Sequence, residues 1–198
     1  MNHPLRCRCG TLQGRVHHPE RAHRAVCYCK DCQAYARFLG MENVVLDASG
    51  GTDVVATVSE HVALTEGIGS LACLSLSENG LLRWYASCCN TPIGNTPRNY
   101  RLAYVGLVHT CLEAAGASLD QSFGPVRVRV NTGSANGSVD GTPIAVATMM
   151  LRLLPSLARA RLDRSYERTP FFNARSGAPV VRPKVLTRSE RARVRTAA

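Results

Sequence analysis

The chain has 198 residues, a net charge of +10 and a 45% apolar composition, enough to bury one core with an appendage. The N-terminal Met-Asn-His-Pro-Leu-Arg has no apolar run of signal-peptide type, and no stretch approaches the roughly 18–20 apolar residues that span a bilayer. The charge is uneven: residues 1–145 carry 12 Arg/Lys against 11 Asp/Glu, and residues 146–198 carry 12 against 3.

Short runs rich in β-formers fill the first 130 residues. They predict strands at Thr11–Val16, Ala25–Cys29, Val44–Leu46, Asp53–Val58, Leu71–Leu76, Leu81–Ser87 and Leu102–Val108. Gly, Pro and Asn clusters separate them, including a stretch from Thr91-Pro92 to Thr96-Pro97. Asn79-Gly80 marks a hairpin. Helices are expected at Lys30–Phe38 and Leu112–Ser118, and the alternating Val126–Val130 segment reads as a half-exposed strand. No parallel β-α-β rhythm is present, so the fold class is mainly β and mostly antiparallel.

The expected organisation is a zinc-binding β domain over residues 1–130, a Gly/Ser/Asn-rich flexible connection over 131–142, and a helical, arginine-rich extension over 143–198. Within the extension Val146, Met150, Leu153, Leu154 and Leu157 share one helical face, and Pro155 should kink or divide that helix. Phe171-Phe172 is a candidate anchor onto the β core, and Thr187-x-x-Glu190 a capping box.

The chemistry lies in nine cysteines. Their clustering as C-x-C and C-x-x-C, and their odd number, favour thiolate–metal chemistry in a reducing cytoplasm over a disulfide framework. Cys27-Tyr28-Cys29-Lys30-Asp31-Cys32 places two sulfurs on one face of a strand, and a turn brings the third back towards them. An open zinc site, or a closed one completed from elsewhere, fits that pattern. Cys7-Arg8-Cys9-Gly10 is a second clip. Its candidate partner is Cys89, with Cys88 as a further candidate, because neighbouring residues on a strand point to opposite faces. Cys73 and Cys111 lie in apolar runs and read as buried small hydrophobes. His17, His18 and His23 are spare ligands or solvated loop residues.

Cys7-Arg8-Cys9-Gly10, Cys27–Cys32, Gly50-Gly51 and Cys89-Asn90-Thr91-Pro92, in this order, resemble the glutathione-dependent formaldehyde-activating enzyme family over about the first half of the chain. The resemblance implies a zinc-centred antiparallel β-tent with two zinc ions. It implies that Cys7, Cys9 and Cys89 belong to a four-sulfur structural site. Cys27, Cys29 and Cys32 would hold a catalytic zinc with its fourth position open. The family's later C-x-x-C reads Ala86-Ser87-Cys88-Cys89 here, so its first cysteine is missing; Tyr28 stands where many members have histidine.

The expected function is a zinc-dependent carbon–sulfur lyase acting on a thiol–aldehyde adduct, with glutathione and formaldehyde as the family's substrates. The competing expectation is a non-enzymatic zinc-binding module whose basic tail recruits a partner. Nucleic acid is a poor candidate partner because the tail has little aromatic interleaving, and no membrane insertion is expected.

Overall fold

The computed structural model describes residues 2–113, 116 and 118–196, and shows a mainly β protein. A small sheet pairs β1 (Asn2–Arg6), β2 (Gln13–His17) and β5 (Val62–Glu66) in the order β1-β2-β5. The large sheet contains β3 (His23–Cys27), β4 (Thr52–Val58), β6 (Leu71–Ser75), β7 (Leu82–Ala86), β8 (Thr91–Thr96), β9 (Tyr104–Val108), β10 (Val128–Val130) and β11 (Lys184–Val185). Its order is β10-β3-β4-β9-β8-β7-β6-β11. The interior pairings are antiparallel, and the two edge strands β10 and β11 join in parallel.

Among the described residues, six α-helices flank the sheets: α1 (Lys30–Phe38), α2 (Glu42–Val45), α3 (Thr110–Glu113), α4 (Leu119–Phe123), α5 (Pro143–Leu162) and α6 (Arg188–Thr196). Val44–Leu46, expected as a strand, contributes instead to the one-turn α2, with Leu46 bridging Thr52. Burying Val45 beside Met41 and Leu39 outweighs the strand preference of two valines. Of the helix expected at Leu112–Ser118, residues 112 and 113 belong to α3, and residues 114, 115 and 117 lie outside the described residues.

The turn-like Thr91–Thr96 is a fully buried strand. Pro92 has no N–H to donate, and the register shifts between Trp84 and Tyr85 where it pairs with Tyr85.

One face of the large sheet meets the small sheet over a core containing Trp84, Leu82, Ile93, Val105, Leu107, Leu5 and Leu12. Cys73 and Cys111 are buried in this core. The opposite face carries α1 through Tyr35, Leu74 and Val108, and α5 through Ala25, Val128 and Met149. Helix α5 runs through Pro155 undivided. The carbonyl left without its usual donor belongs to Leu151, which is 71% exposed and open to water. Its core-facing residues are Met149, Leu153 and Ala160, with Val146 and Leu157 beside them; Met150 and Leu154 face outward. Among the described residues no helix is long and apolar enough to cross a membrane.

The C-terminal quarter closes the core. Phe171 is fully buried 5.1 Å from the Trp84 ring, Phe172 meets the same indole edge-on, and β11 extends the sheet beside β6. Thr187 and Glu190 form the reciprocal capping box of α6. Phe171→Ala should therefore cost about 3–5 kcal/mol in chemical denaturation. Leu162→Ala, at an 85% exposed position, should change stability by less than about 0.5 kcal/mol.

Candidate metal centres

Two groups of sulfur atoms can each hold a metal ion: Cys7, Cys9, Cys88 and Cys89, and separately Cys27, Cys29 and Cys32, with the sulfurs of each group within 4.8 Å of one another. Neither group includes a histidine.

The four-thiol group joins two turns. Cys7 follows β1, and Gly10 takes φ +82°, which a side chain would strain and which would drive a Cβ into the Arg6 guanidinium. The turn closes as the Leu12 amide donates to the Cys7 sulfur at 3.2 Å and the Cys7 amide to the Leu12 carbonyl at 2.9 Å. The other half is the hairpin turn between β7 and β8, where Asn90 adopts φ +54°. Because Cys88 and Cys89 sit on a turn, the opposite-face rule for strands does not separate them, and both reach the group. Cys88 lies 3.8 Å from Cys7, 3.3 Å from Cys9 and 3.8 Å from Cys89, sulfur to sulfur; Cys7 and Cys9 are 3.5 Å apart. Thr91 Oγ1 fixes the arrangement by accepting from the Arg8 amide at 3.0 Å and meeting the Cys89 sulfur at 3.0 Å.

The three-thiol group sits where β3 runs into α1. Cys27 is the last residue of β3, Cys29 is the N-cap of α1, and Cys32 lies in its first turn. The Cys32 amide donates to the Cys29 sulfur at 3.3 Å, so a helix-start amide and the positive end of the helix both favour negative sulfur. Gln33 clamps the junction by donating through Nε2 to the Tyr28 carbonyl at 3.0 Å and the Ser134 carbonyl at 2.9 Å. Beyond β10 the chain turns over the site, and Asn131 Nδ2 donates to the Cys27 sulfur at 3.3 Å.

These contacts draw the Cys27 thiol well below its ordinary pKa, chiefly through hydrogen bonds from Cys29 and Cys32, then from the Cys29 amide and Asn131, against the effect of burial. Cys29 and Cys32 move upward because they keep the protons donated to Cys27, and burial adds to the rise. Negative charge in the trio is therefore favoured at Cys27.

Other groups face this charge from the sheet, and no sequence motif marks them. Arg83 is 3% exposed; it donates to Asn95 Oδ1 at 3.0 Å, lies 4.0 Å from the Cys32 sulfur and stacks 5.3 Å from the Tyr35 ring centre. Among the described residues it has no carboxylate partner. Thr52, directly opposite Cys27 on β4, is buried, and its hydroxyl has no hydrogen-bond partner among the described residues. Burial, then the negative charges of Cys27 and Cys32, push the Tyr104 phenol up to about 12, so it stays protonated at neutral pH. A cleft of about 460 Å³ opens beside Asn131, lined by Arg129, Val130, Thr142, Pro143 and Val146. A larger cavity of about 790 Å³ lies between α5 and the opposite end of β3, near His23, Arg127 and Arg152.

The two ligand sets share no residue. Cys7→Ser and Cys27→Ser should each remove one equivalent of bound metal and leave the other, as read by elemental analysis of protein purified under reducing conditions. In stripped protein, Cys9 should be the reactive thiol of the four-thiol group. Contacts with the Thr11 hydroxyl, then with the Thr11 backbone and Cys88, draw it down to about 6, so iodoacetamide alkylation of Cys9 should rise through pH 6 and flatten above roughly pH 7. Cys73, held up to about 12 by burial, should stay unmodified there, and metal loading should protect Cys9.

No curated protein matches the chain. A family model described as a family of unknown function (DUF6151) matches residues 1–180, the β core, both cysteine groups and the Phe171-Phe172 anchor. The chain belongs to that family, DUF6151.

Proposed function

We propose that the protein is a zinc-dependent carbon–sulfur lyase-like catalyst of the formaldehyde-activating type, acting on the adduct of a small thiol such as glutathione with a small aldehyde. The observation that carries this reading is the unequal number of sulfurs in the two groups, four against three.

The donor chemistry fits zinc. A tetrahedral ion with Zn–S of about 2.3 Å spaces its sulfurs about 3.8 Å apart; in the four-thiol group the three contacts of Cys88 and the Cys7–Cys9 contact measure 3.3–3.8 Å, and all its sulfurs lie within 4.8 Å of one another. Four thiolates close a structural site. Three leave a position for an outside ligand. Zinc held by Cys27, Cys29 and Cys32 supplies a cation that takes a substrate thiol as thiolate and lowers its pKa.

The chain's own residues prepare that position. Asn131 and the first turn of α1 orient the sulfurs, and Arg83 offsets their excess negative charge from the buried side. The cleft beside Asn131 offers an approach, and Arg129 on its wall suits a substrate carboxylate. In this reading the sheets form the zinc-centred tent that the sequence resemblance implies, and nine free thiols suit a reducing cytoplasm.

The alternative, a non-enzymatic zinc module whose basic segment recruits a partner, is favoured by exposed Arg182, Arg188 and Arg193, which have no acidic partner among the described residues. Exchange NMR of glutathione with formaldehyde separates the two. Metal-loaded protein should speed adduct formation and breakdown, and Cys29→Ala should return both to the buffer rate. Exchange at the buffer rate with fully loaded wild-type protein would sink the catalytic reading and leave the recruitment module.

A further inference from the structure

The cavity of about 790 Å³ between α5 and the start of β3 has two kinds of wall. Ala22, Phe123, Val128 and Met149, all buried, give it an apolar side. His23, Arg127 and Arg152 give it a cationic side, and they come from three places in the chain: β3, the segment leading into β10, and α5. Small-molecule sites typically enclose roughly 300–1,000 Å³, with a mostly apolar lining and a few convergent polar groups. This cavity has both properties.

The charges on the lining do not cancel. Arg24 also reaches it, but its guanidinium is held by Asp53 at 2.6 Å and by Asp120. Arg127 and Arg152 have no carboxylate partner among the described residues. Glu20 is the one acid on the described lining, and its carboxylate lies 3.4 Å from His18. Burial, then the charge of Arg152, hold the His23 imidazole below its usual pKa, so the local potential is positive. Helix α5 begins on the same wall, and its positive end adds potential of the same sign. Two unpaired guanidinium groups beside apolar surface match a molecule that has one anionic group and an apolar body.

We propose that this cavity binds a small amphipathic organic acid, with the carboxylate between Arg127 and Arg152 and the apolar body against Phe123, Val128 and Met149. The site is separate from the three thiols. Strand β3 begins at the cavity with His23 and ends at the thiols with Cys27, about 13 Å of extended chain away. The cavity and the cleft beside Asn131 meet at Gly141, Thr142 and Pro143.

Calorimetric titration of the full chain, purified under reducing conditions, tests this with three probes. Octanoate has both the charge and the apolar chain, 1-octanol has only the chain, and inorganic phosphate has only the charge. Octanoate should bind one-to-one, and about tenfold or more tightly than either of the others. Arg127→Gln and Arg152→Gln alter exposed side chains, so each should keep the wild-type melting temperature while weakening octanoate about tenfold. Octanoate should also shift the His23 ring signals in NMR spectra of wild-type protein. The proposal is overturned if octanoate does not bind, if 1-octanol or phosphate binds as tightly, or if either arginine variant keeps the wild-type affinity. Binding that leaves the His23 signals in place overturns it as well, because the acid would then sit elsewhere.

Discussion

Three sulfur atoms held within 4.8 Å of one another cannot all carry charge unless a cation stands among them. Much of the architecture around Cys27, Cys29 and Cys32 answers that constraint. The trio lies at the positive end of α1, receives an amide hydrogen bond there and another from Asn131, and faces the guanidinium of Arg83. Burying a lone guanidinium is costly without a counter-charge. Arg83 has none among the described carboxylates, so the thiolate cluster is what its burial is matched to. With the zinc proposed above, three thiolates would leave one net negative charge, which Arg83 would balance from the buried side.

The other cysteine group meets the same constraint differently. It lies between two loops that belong to different sheets, with Cys9 and Cys88 exposed and Cys7 buried. A metal there would tie the β1–β2 turn to the β7–β8 turn and so lock the small sheet onto the large one. In the proposed reading its role is structural, and its irregular spacing matters little because the hairpin turn lets two neighbouring sulfurs point the same way.

The chain from β10 onward takes part in both aspects of the fold. Phe171 and Phe172 complete the aromatic core around Trp84, while β10 and the loop after it carry Asn131 and Ser134 over the thiols. The basic residues remain at the surface, where some pair locally, as Lys184 does with Glu190 and Arg195 with Asp31. The stretch from 131 onward therefore closes the site as well as linking and charging the chain.

The sequence by itself determined the elements whose causes are local. C-x-C at a strand end followed by a helix start gathers three sulfurs through backbone geometry alone, Asn79-Gly80 turns a hairpin, and Thr187 with Glu190 caps a helix. Other features depended on partners distant in the chain. Cys88 joins its group because residues 87–90 form a turn, Thr91–Thr96 is a strand because both its neighbours bury it, and Val44–Val45 coils because Val45 fits the core that way. Arg83, Asn95, Thr52 and Tyr104 lie on four different strands and carry no spacing signal. Only the sheet register sets them on the face that carries the thiols, since pairing between strands is fixed by packing across the whole sheet.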